Sequence, residues 1–269
     1  MRTLTAVLVL TSIATAGERL IDARGYLLVQ TQVNGKGPYL FLLDTGATST
    51  VVVPEVAEAA GLAAEGQVSL TTSTGEHAAS RVPAAEIRVG SAAARAEVLI
   101  DPLRAVRLLD RRIGGVLGQS FLSRFPCLID YRHRRLWLGD EAAARGQALP
   151  ELLVAQREGE RMIIPAEAPG RRPVQLVLDS GAPALILYCG ADCPNLETAG
   201  ESRVDTDTGV SRGRQGMLAS LEVGSLRIAR PKTVVLDARP AGSREDGLLP
   251  AQWFSAVYLG PGNVVGLAR

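Results

Sequence analysis

The sequence predicts an all-β protein of two lobes, made by tandem duplication, with a cleft between the copies. Three observations predict it. Short apolar runs recur along the chain between clusters of Gly, Pro, Asn and Asp, the pattern of many short strands joined by regular turns. Landmarks of the first half return in the second in the same order: Asp44 at Asp179, Gly75 at Gly209, Gly90 at Gly224 and Gly115 at Gly247, with spacings that drift only from 135 to 132 residues. Finally, the apolar runs Phe41-Leu42-Leu43 and Leu176-Val177-Leu178 each end in Asp, a hydroxyl residue and Gly.

Composition narrows the function classes. The chain has 269 residues, 29 basic and 28 acidic, for a formal charge of +1. That is enough chain for one large or two smaller cores. The balance of charge leaves no electrostatic footprint for nucleic acid or an anionic membrane. Residues 1–16 read as a signal peptide, with Arg2 as the n-region, Leu4 to Ile13 as the h-region and Ala14-Thr15-Ala16 as the cleavage site. The apolar run is too short for a bilayer, which needs about 20 residues. The mature chain is expected in the periplasm or secreted, with no stable membrane insertion after signal removal.

The elements then follow in order. The expected N-terminal lobe is 17–142. In it, a strand over 25–33 turns at Asn34-Gly-Lys-Gly-Pro38 into a strand ending at Asp44, because Asn-Gly and Gly-Pro are strong hairpin punctuation. Pro54 to Ala60 is a short helix with Pro near its start and Gly61 as its stop. Hairpins are expected at Gly75-Glu76, between 68–74 and 77–82, and at Gly90-Ser91, between 85–89 and 96–100. Strands follow at 113–117, 127–131 and 135–138. The Ala- and charge-rich stretch around 143–159 reads as the linker, part of it helical. The C-terminal lobe, 160–269, repeats the series with strands at 162–166, 175–178, 202–208, 211–219, 221–223, 226–228 and 233–236, and others up to Leu267.

The remaining motifs are weighed against plainer readings. Cys189 and Cys193 flank a short, turn-rich loop, and in an oxidising compartment they are expected to form a disulfide. The competing zinc reading lacks a histidine nearby in sequence, since only His77 and His133 exist. Cys127 lies in an apolar strand and reads as a small buried hydrophobe. Asp205-Thr-Asp207-Thr-Gly209 lacks the downstream acidic ligands of a calcium loop. Gly260 to Asn263 is a hairpin turn, and Arg132 to Arg135 a charged strand edge. No G-x-S-x-G occurs. No metal and no cofactor is called for.

The Asp-Thr/Ser-Gly turns, the following Gly115-Val116-Leu117-Gly118 strand and the glycine-tipped hairpin between them resemble the aspartic protease family. Asp44 to Thr50 followed by Pro54 to Leu62 is most similar to bacterial retropepsin-like proteases, here in a tandem single-chain form. The resemblance implies Asp44 and Asp179 as the catalytic pair, with Thr45, Gly46, Ser180 and Gly181 in the supporting turns. It implies flaps that bind substrate at Thr74, Gly75 and Glu76 and at Thr208, Gly209 and Val210, and the Cys189–Cys193 loop is reminiscent of the small disulfide loop of pepsin-like members. Two departures stand out: Pro250 replaces the glycine matching Gly118, and Pro183-Ala184 replaces Thr48-Ser49. The expected activity is an aspartic endopeptidase acting on peptide or protein substrates as a monomer with pseudo-twofold symmetry. The alternative is an inactive relative that binds peptides or a partner protein in its cleft.

Overall fold

The computed structural model describes residues 16–72, 75–169, 172–188, 194–206, 209–240 and 243–269. The signal-peptide reading therefore lies almost wholly outside the described residues. The first half runs β1 (Glu18–Arg19), β2 (Ile21–Ala23), β3 (Tyr26–Val33), β4 (Lys36–Leu43), β5 (Thr50–Val52), α1 (Pro54–Ala59), β6 (Gln67–Thr72), β7 (Gly75–Val89), β8 (Ala92–Ile100), β9 (Ile113–Leu117), α2 (Gln119–Leu122), β10 (Cys127–Asp130) and β11 (Arg135–Leu138). Then come α3 (Asp140–Gly146), β12 (Glu151–Val154) and β13 (Gln156–Glu158). The second half continues with β14 (Arg161–Ala166), β15 (Val174–Asp179), β16 (Leu185–Tyr188), β17 (Glu197–Thr206), β18 (Gly209–Met217), β19 (Ser220–Val223), β20 (Leu226–Ala229), β21 (Lys232–Leu236), β22 (Gly247–Pro250), β23 (Ala256–Leu259) and β24 (Val264–Ala268).

The duplication is visible in the topology. One sheet has the order β2-β3-β4-β9-β5-β8-β7-β6 and the other β13-β14-β15-β22-β16-β21-β18-β17, the same list element for element. Parallel pairs fall at matching places, β4 with β9 and β5 with β8, then β15 with β22 and β16 with β21. A further sheet, β1-β11-β10-β23-β24-β12, takes three strands from each half. At its centre β10 runs antiparallel to β23, with Leu128 facing Tyr258. Equivalent strands lying antiparallel to each other are what a twofold axis between them requires.

The strands that carry the two Asp-turns sit inside their sheets with both faces covered. Phe41, Leu42 and Leu43 of β4 and Leu176, Val177 and Leu178 of β15 are all buried, which is why they read as unbroken apolar runs and not as alternation. One continuous apolar cluster passes through both lobes. Among the described residues, no helix is long and apolar enough to cross a membrane.

Three expectations change in detail. The segment 143–159 is more than a connection, because β12 pairs with β24 and completes the shared sheet. The Arg132 to Arg135 run is mostly a turn between β10 and β11, and β11 itself is covered by β1, so it is no strand edge. The two first-lobe hairpins share one long strand, β7, whose pairing with β8 shifts register between Val82 and Ala85. Pro83 falls in that gap, where a missing N–H does no harm. In the second lobe the same path is broken into β18 and the separate β19–β20 hairpin.

Candidate active site

Strand β4 delivers Asp44 and strand β15 delivers Asp179 at equivalent sheet positions, alongside β9 and β22. Asp44 is fixed by its own N–H donating to the carbonyl of Leu117 at 3.1 Å. The glycines that follow are demanded by the other lobe. A Cβ on Gly46 would lie 2.5 Å from the Asp179 carboxyl carbon, and one on Gly181 would lie 2.7 Å from Asp44 Oδ2. Each carboxylate therefore rests against the opposite turn, which only a residue without Cβ permits.

The hydroxyl residues lock this meeting reciprocally. Ser180 Oγ accepts from the Thr45 N–H at 2.9 Å and donates to the Leu43 carbonyl at 2.7 Å. Thr45 Oγ1 accepts from the Ser180 N–H at 3.0 Å and donates to the Leu178 carbonyl at 2.7 Å. Both side chains are buried, Thr45 at 0 % and Ser180 at 3 % exposure. Two hydroxyls thus satisfy four backbone groups at the lobe junction, groups that would otherwise be costly to bury.

Electrostatics separates the two carboxyls. Asp44 Oδ1 accepts from the N–H groups of Gly46 at 2.9 Å and Ala47 at 3.0 Å. Asp179 Oδ1 accepts from Gly181 N–H at 2.6 Å. Each carboxyl lies against the glycine of the opposite turn, which brings the two together at the junction. Burial pushes Asp179, 6 % exposed, well above the usual carboxylate range, and the neighbouring charge of Asp44 pushes it the same way. Burial also raises Asp44, opposed by the Ala47 and Gly46 N–H groups and then by the neighbouring Asp179 carboxyl. Two carboxyls this close do not both ionise readily, so the pair keeps one proton between them where a free carboxyl would have lost it.

Several residues around the pair escape sequence reasoning. Gln119 Nε2 donates to the Thr45 carbonyl at 2.8 Å, and Gln252 Nε2 donates to the Ala182 carbonyl at 2.5 Å. Both glutamines follow the apolar strand of the repeat, so one further landmark, Gln119 at Gln252, was available. In β3 and β4 Leu28 faces Leu42, and the same register carried to the end of β3 sets Tyr26 across from Asp44. The matching ladder of β14 and β15 stops with Ile163 facing Val177, and Arg161, at the start of β14, faces Glu158 of β13. Burial raises the Tyr26 phenol, and the charges of Asp179 and Asp44 raise it further. Tyr131, behind the turns, is raised well above its ordinary value by burial first and then by Asp179.

The expected flap residues divide. Thr74 and Thr208 lie outside the described residues. Gly75 opens β7, and Glu76 accepts from Ser69 Oγ across the hairpin at 2.9 Å. Gly209 and Val210 open β18, opposite Thr206 and Asp205. Strands β7 and β18 touch each other. They are equivalents in the two halves, so they meet near the pseudo-twofold axis that also relates Asp44 to Asp179. Cys189 and Cys193 lie outside the described residues. Cys127 is a buried free thiol pushed up to about 12 by burial. Among the described residues, no group of three or more His, Cys, Asp or Glu is placed to hold a metal ion.

A family model described as aspartyl protease matches the chain twice, over residues 29–121 and 164–253. No curated protein matches it. The two matched stretches cover well over half of the chain, one in each lobe, and the chain belongs to the aspartyl protease family.

Proposed function

We propose that this member of the aspartyl protease family is an active endopeptidase that hydrolyses peptide bonds with Asp44 and Asp179 as its catalytic residues. The observation that carries this reading is the mutual contact of the two turns: each glycine makes room for the other lobe's carboxyl, and the two hydroxyls exchange hydrogen bonds with the opposite turn.

Hydrolysis without a covalent intermediate needs a base to take a proton from water and an acid to protonate the carbonyl oxygen. Asp44, held as the anion by two N–H groups, takes the water proton as the oxygen attacks the scissile carbonyl carbon. Asp179 gives its proton to the carbonyl oxygen, which yields a neutral gem-diol. Breakdown reverses the roles: Asp179, now ionised, removes a proton from one hydroxyl, and Asp44 protonates the departing nitrogen. The products are a carboxyl and an amine, and the pair regains its single proton. Its apparent pKa values belong to the pair and not to either residue, and aspartic proteases are the standard illustration of this behaviour.

In the same reading, residues 1–16 export the chain to the periplasm or the medium. One chain supplies both carboxylates, so it acts as a monomer on unfolded or flexible peptide segments and needs no cofactor. The test is cleavage of casein between pH 3 and pH 7, its inhibition by pepstatin, and its loss in Asp44→Asn and Asp179→Asn. Wild-type protein that binds pepstatin or peptides without cleaving them would favour the peptide-binding alternative.

A further inference from the structure

A pocket of about 150 Å³ opens between the two lobes. The first lobe supplies one wall from α2 and the residues after it, among them Leu122 and Phe125. The second lobe supplies the other, with Met162 of β14, Leu259 at the end of β23 and Pro261 in the turn that follows. Leu122, Met162 and Leu259 are buried core residues, so the floor is apolar. Gln119, whose side chain donates to the Thr45 carbonyl, also lines the pocket. The pocket therefore lies one hydrogen bond from the first Asp-turn, yet neither Asp44 nor Asp179 lines it.

The charged groups stand at the rim. Arg124 and Arg157, both exposed, line the pocket from opposite lobes. Arg157 Nε donates to Asn263 Oδ1 at 2.9 Å and its Nη1 to Glu160 Oε2 at 2.8 Å, so that its charge is offset. Arg124 Nε donates to the Ser120 carbonyl at 3.4 Å, and among the described residues no carboxylate pairs with this guanidinium. The rim thus carries one positive charge in excess. A guanidinium takes a carboxylate through two parallel N–H···O bonds. At an exposed rim both ions keep much of their water, which avoids the desolvation penalty of a buried pair. A dianion would bring more negative charge than the rim offsets. An apolar cavity of about 150 Å³ holds a molecule the size of benzene, and that sets the body of the ligand.

We propose that this pocket is a binding site for a small organic monocarboxylate, with a ring or branched chain on the apolar floor and the carboxylate on Arg124. Because its walls belong to different lobes, the bound ligand also clamps the junction between them. The site stands apart from the peptidase reading, since binding is read without turnover. Benzoate is the probe, titrated into the full chain near pH 7, and a ligand this small supports a Kd on the order of 1 mM. At about ten times that concentration the Tm should rise by about 3 °C. Benzyl alcohol, the same ring without the charge, should bind about tenfold more weakly, as should benzoate to Arg124→Gln, the cost of a lost charge-assisted bond. Arg132→Gln, an exposed arginine in the turn after β10, should bind benzoate as wild type does. The double variant Asp44→Asn, Asp179→Asn should bind it within about twofold of wild type, because additivity holds for sites that share no partner. Absence of saturable binding up to about 20 mM, far above the expected Kd, overturns the proposal. So does undiminished binding by Arg124→Gln, or loss of binding in the double variant, which would place the carboxylate in the cleft. Protein that binds benzoate at Arg124 and cleaves no peptide keeps this site and sinks the peptidase reading.

Discussion

The two Asp-turns are alike where they touch and unlike where they do not. Asp44-Thr45-Gly46 and Asp179-Ser180-Gly181 exchange equivalent hydrogen bonds across the junction. Two residues further on, the halves part. The first turn packs its backbone on Gly118: Gln119 N–H donates to the Ala47 carbonyl and Ser120 N–H to the Thr48 carbonyl, both at 2.9 Å, and Thr50 Oγ1 accepts from Gly118 N–H at 3.2 Å. A Cβ on Gly118 would overlap the carbonyl oxygen of Ser49. In the second turn Pro250 stands opposite Asp179 in the ladder, and Gln252 reaches back to the Ala182 carbonyl with its side chain. The comparison teaches that symmetry is enforced only at the contact between lobes. Behind it, each lobe supports its turn with whatever bonds its own backbone permits.

The surroundings of the two carboxyls differ as well. Across from Asp44 stands a phenol, Tyr26. In the second half Arg161, at the start of β14, donates to Glu245 at 3.1 Å and Glu158 at 3.3 Å. The phenol's titration feels both members of the pair, whereas the arginine is engaged by its own lobe. Asp44 and Asp179 are thus chemically distinct before any substrate arrives.

The largest expected effect treats the turns as equals. Asp44→Asn and Asp179→Asn should each lower kcat for peptide cleavage by at least about 10³-fold, within the range of a lost acid or base, with far-UV circular dichroism unchanged. A single mutant that keeps activity breaks the equality and the dyad with it. Next come Gly46→Ala and Gly181→Ala, each of which drives a methyl into the opposite carboxyl. Displacement on the order of 1 Å costs about 10²-fold in rate, so both should lose about that much kcat, measurable by single-turnover cleavage.

The hydroxyl lock sharpens the comparison through stability. Thr45→Val and Ser180→Ala each strand two buried backbone groups, and about 1–3 kcal/mol per unsatisfied group predicts a marked fall in the urea midpoint for either. The double mutant should cost less than the sum, because the two share one network. Behind the contact the halves should diverge. Gly118→Ala should destabilise by about 1–3 kcal/mol, as an overpacked buried site does, whereas Pro250→Gly should cost no more than about 1 kcal/mol, chiefly through the unfolded chain. Equal losses in thermal melts of the two variants would contradict the asymmetry.

The mildest perturbation is pH. Both carboxyls are raised in the folded state, so their contribution to stability is fully present below the unfolded carboxylate value of about 4. It is lost as pH rises through the folded-state values. The melting temperature of wild type relative to Asp179→Asn should therefore be highest near pH 4 and decline toward pH 7. A flat difference would refute the raised pair.

Much of this was legible in the chain. Duplicated Asp-hydroxyl-Gly units, continuous apolar runs before them and Gly-marked hairpins are local signals, and local signals survive in a single sequence. The strands β5 and β16 were not legible, because each is a short run directly behind a turn, where Thr50 or Pro183-Ala184 blurs the pattern. Gln119 and Gln252 were readable only as one more term of the repeat. His77 was weighed as a zinc ligand, and its bond to Asp101 depends on where β8 happens to stop, 24 residues away. Tyr26 required the strand register, which no local window contains.

The shared sheet has a consequence for the joining of the two halves. Its inner strands β10 and β23 cover each other's hydrogen-bonding edges, so a lone half would leave β10 with an open row of amides and carbonyls. The best cover for that row is a second β10, lying antiparallel as β23 now does. Such self-pairing would bring two copies of Asp44 face to face. The architecture is thus that of two copies of one half, each of which closes the strand edge that the other would leave open.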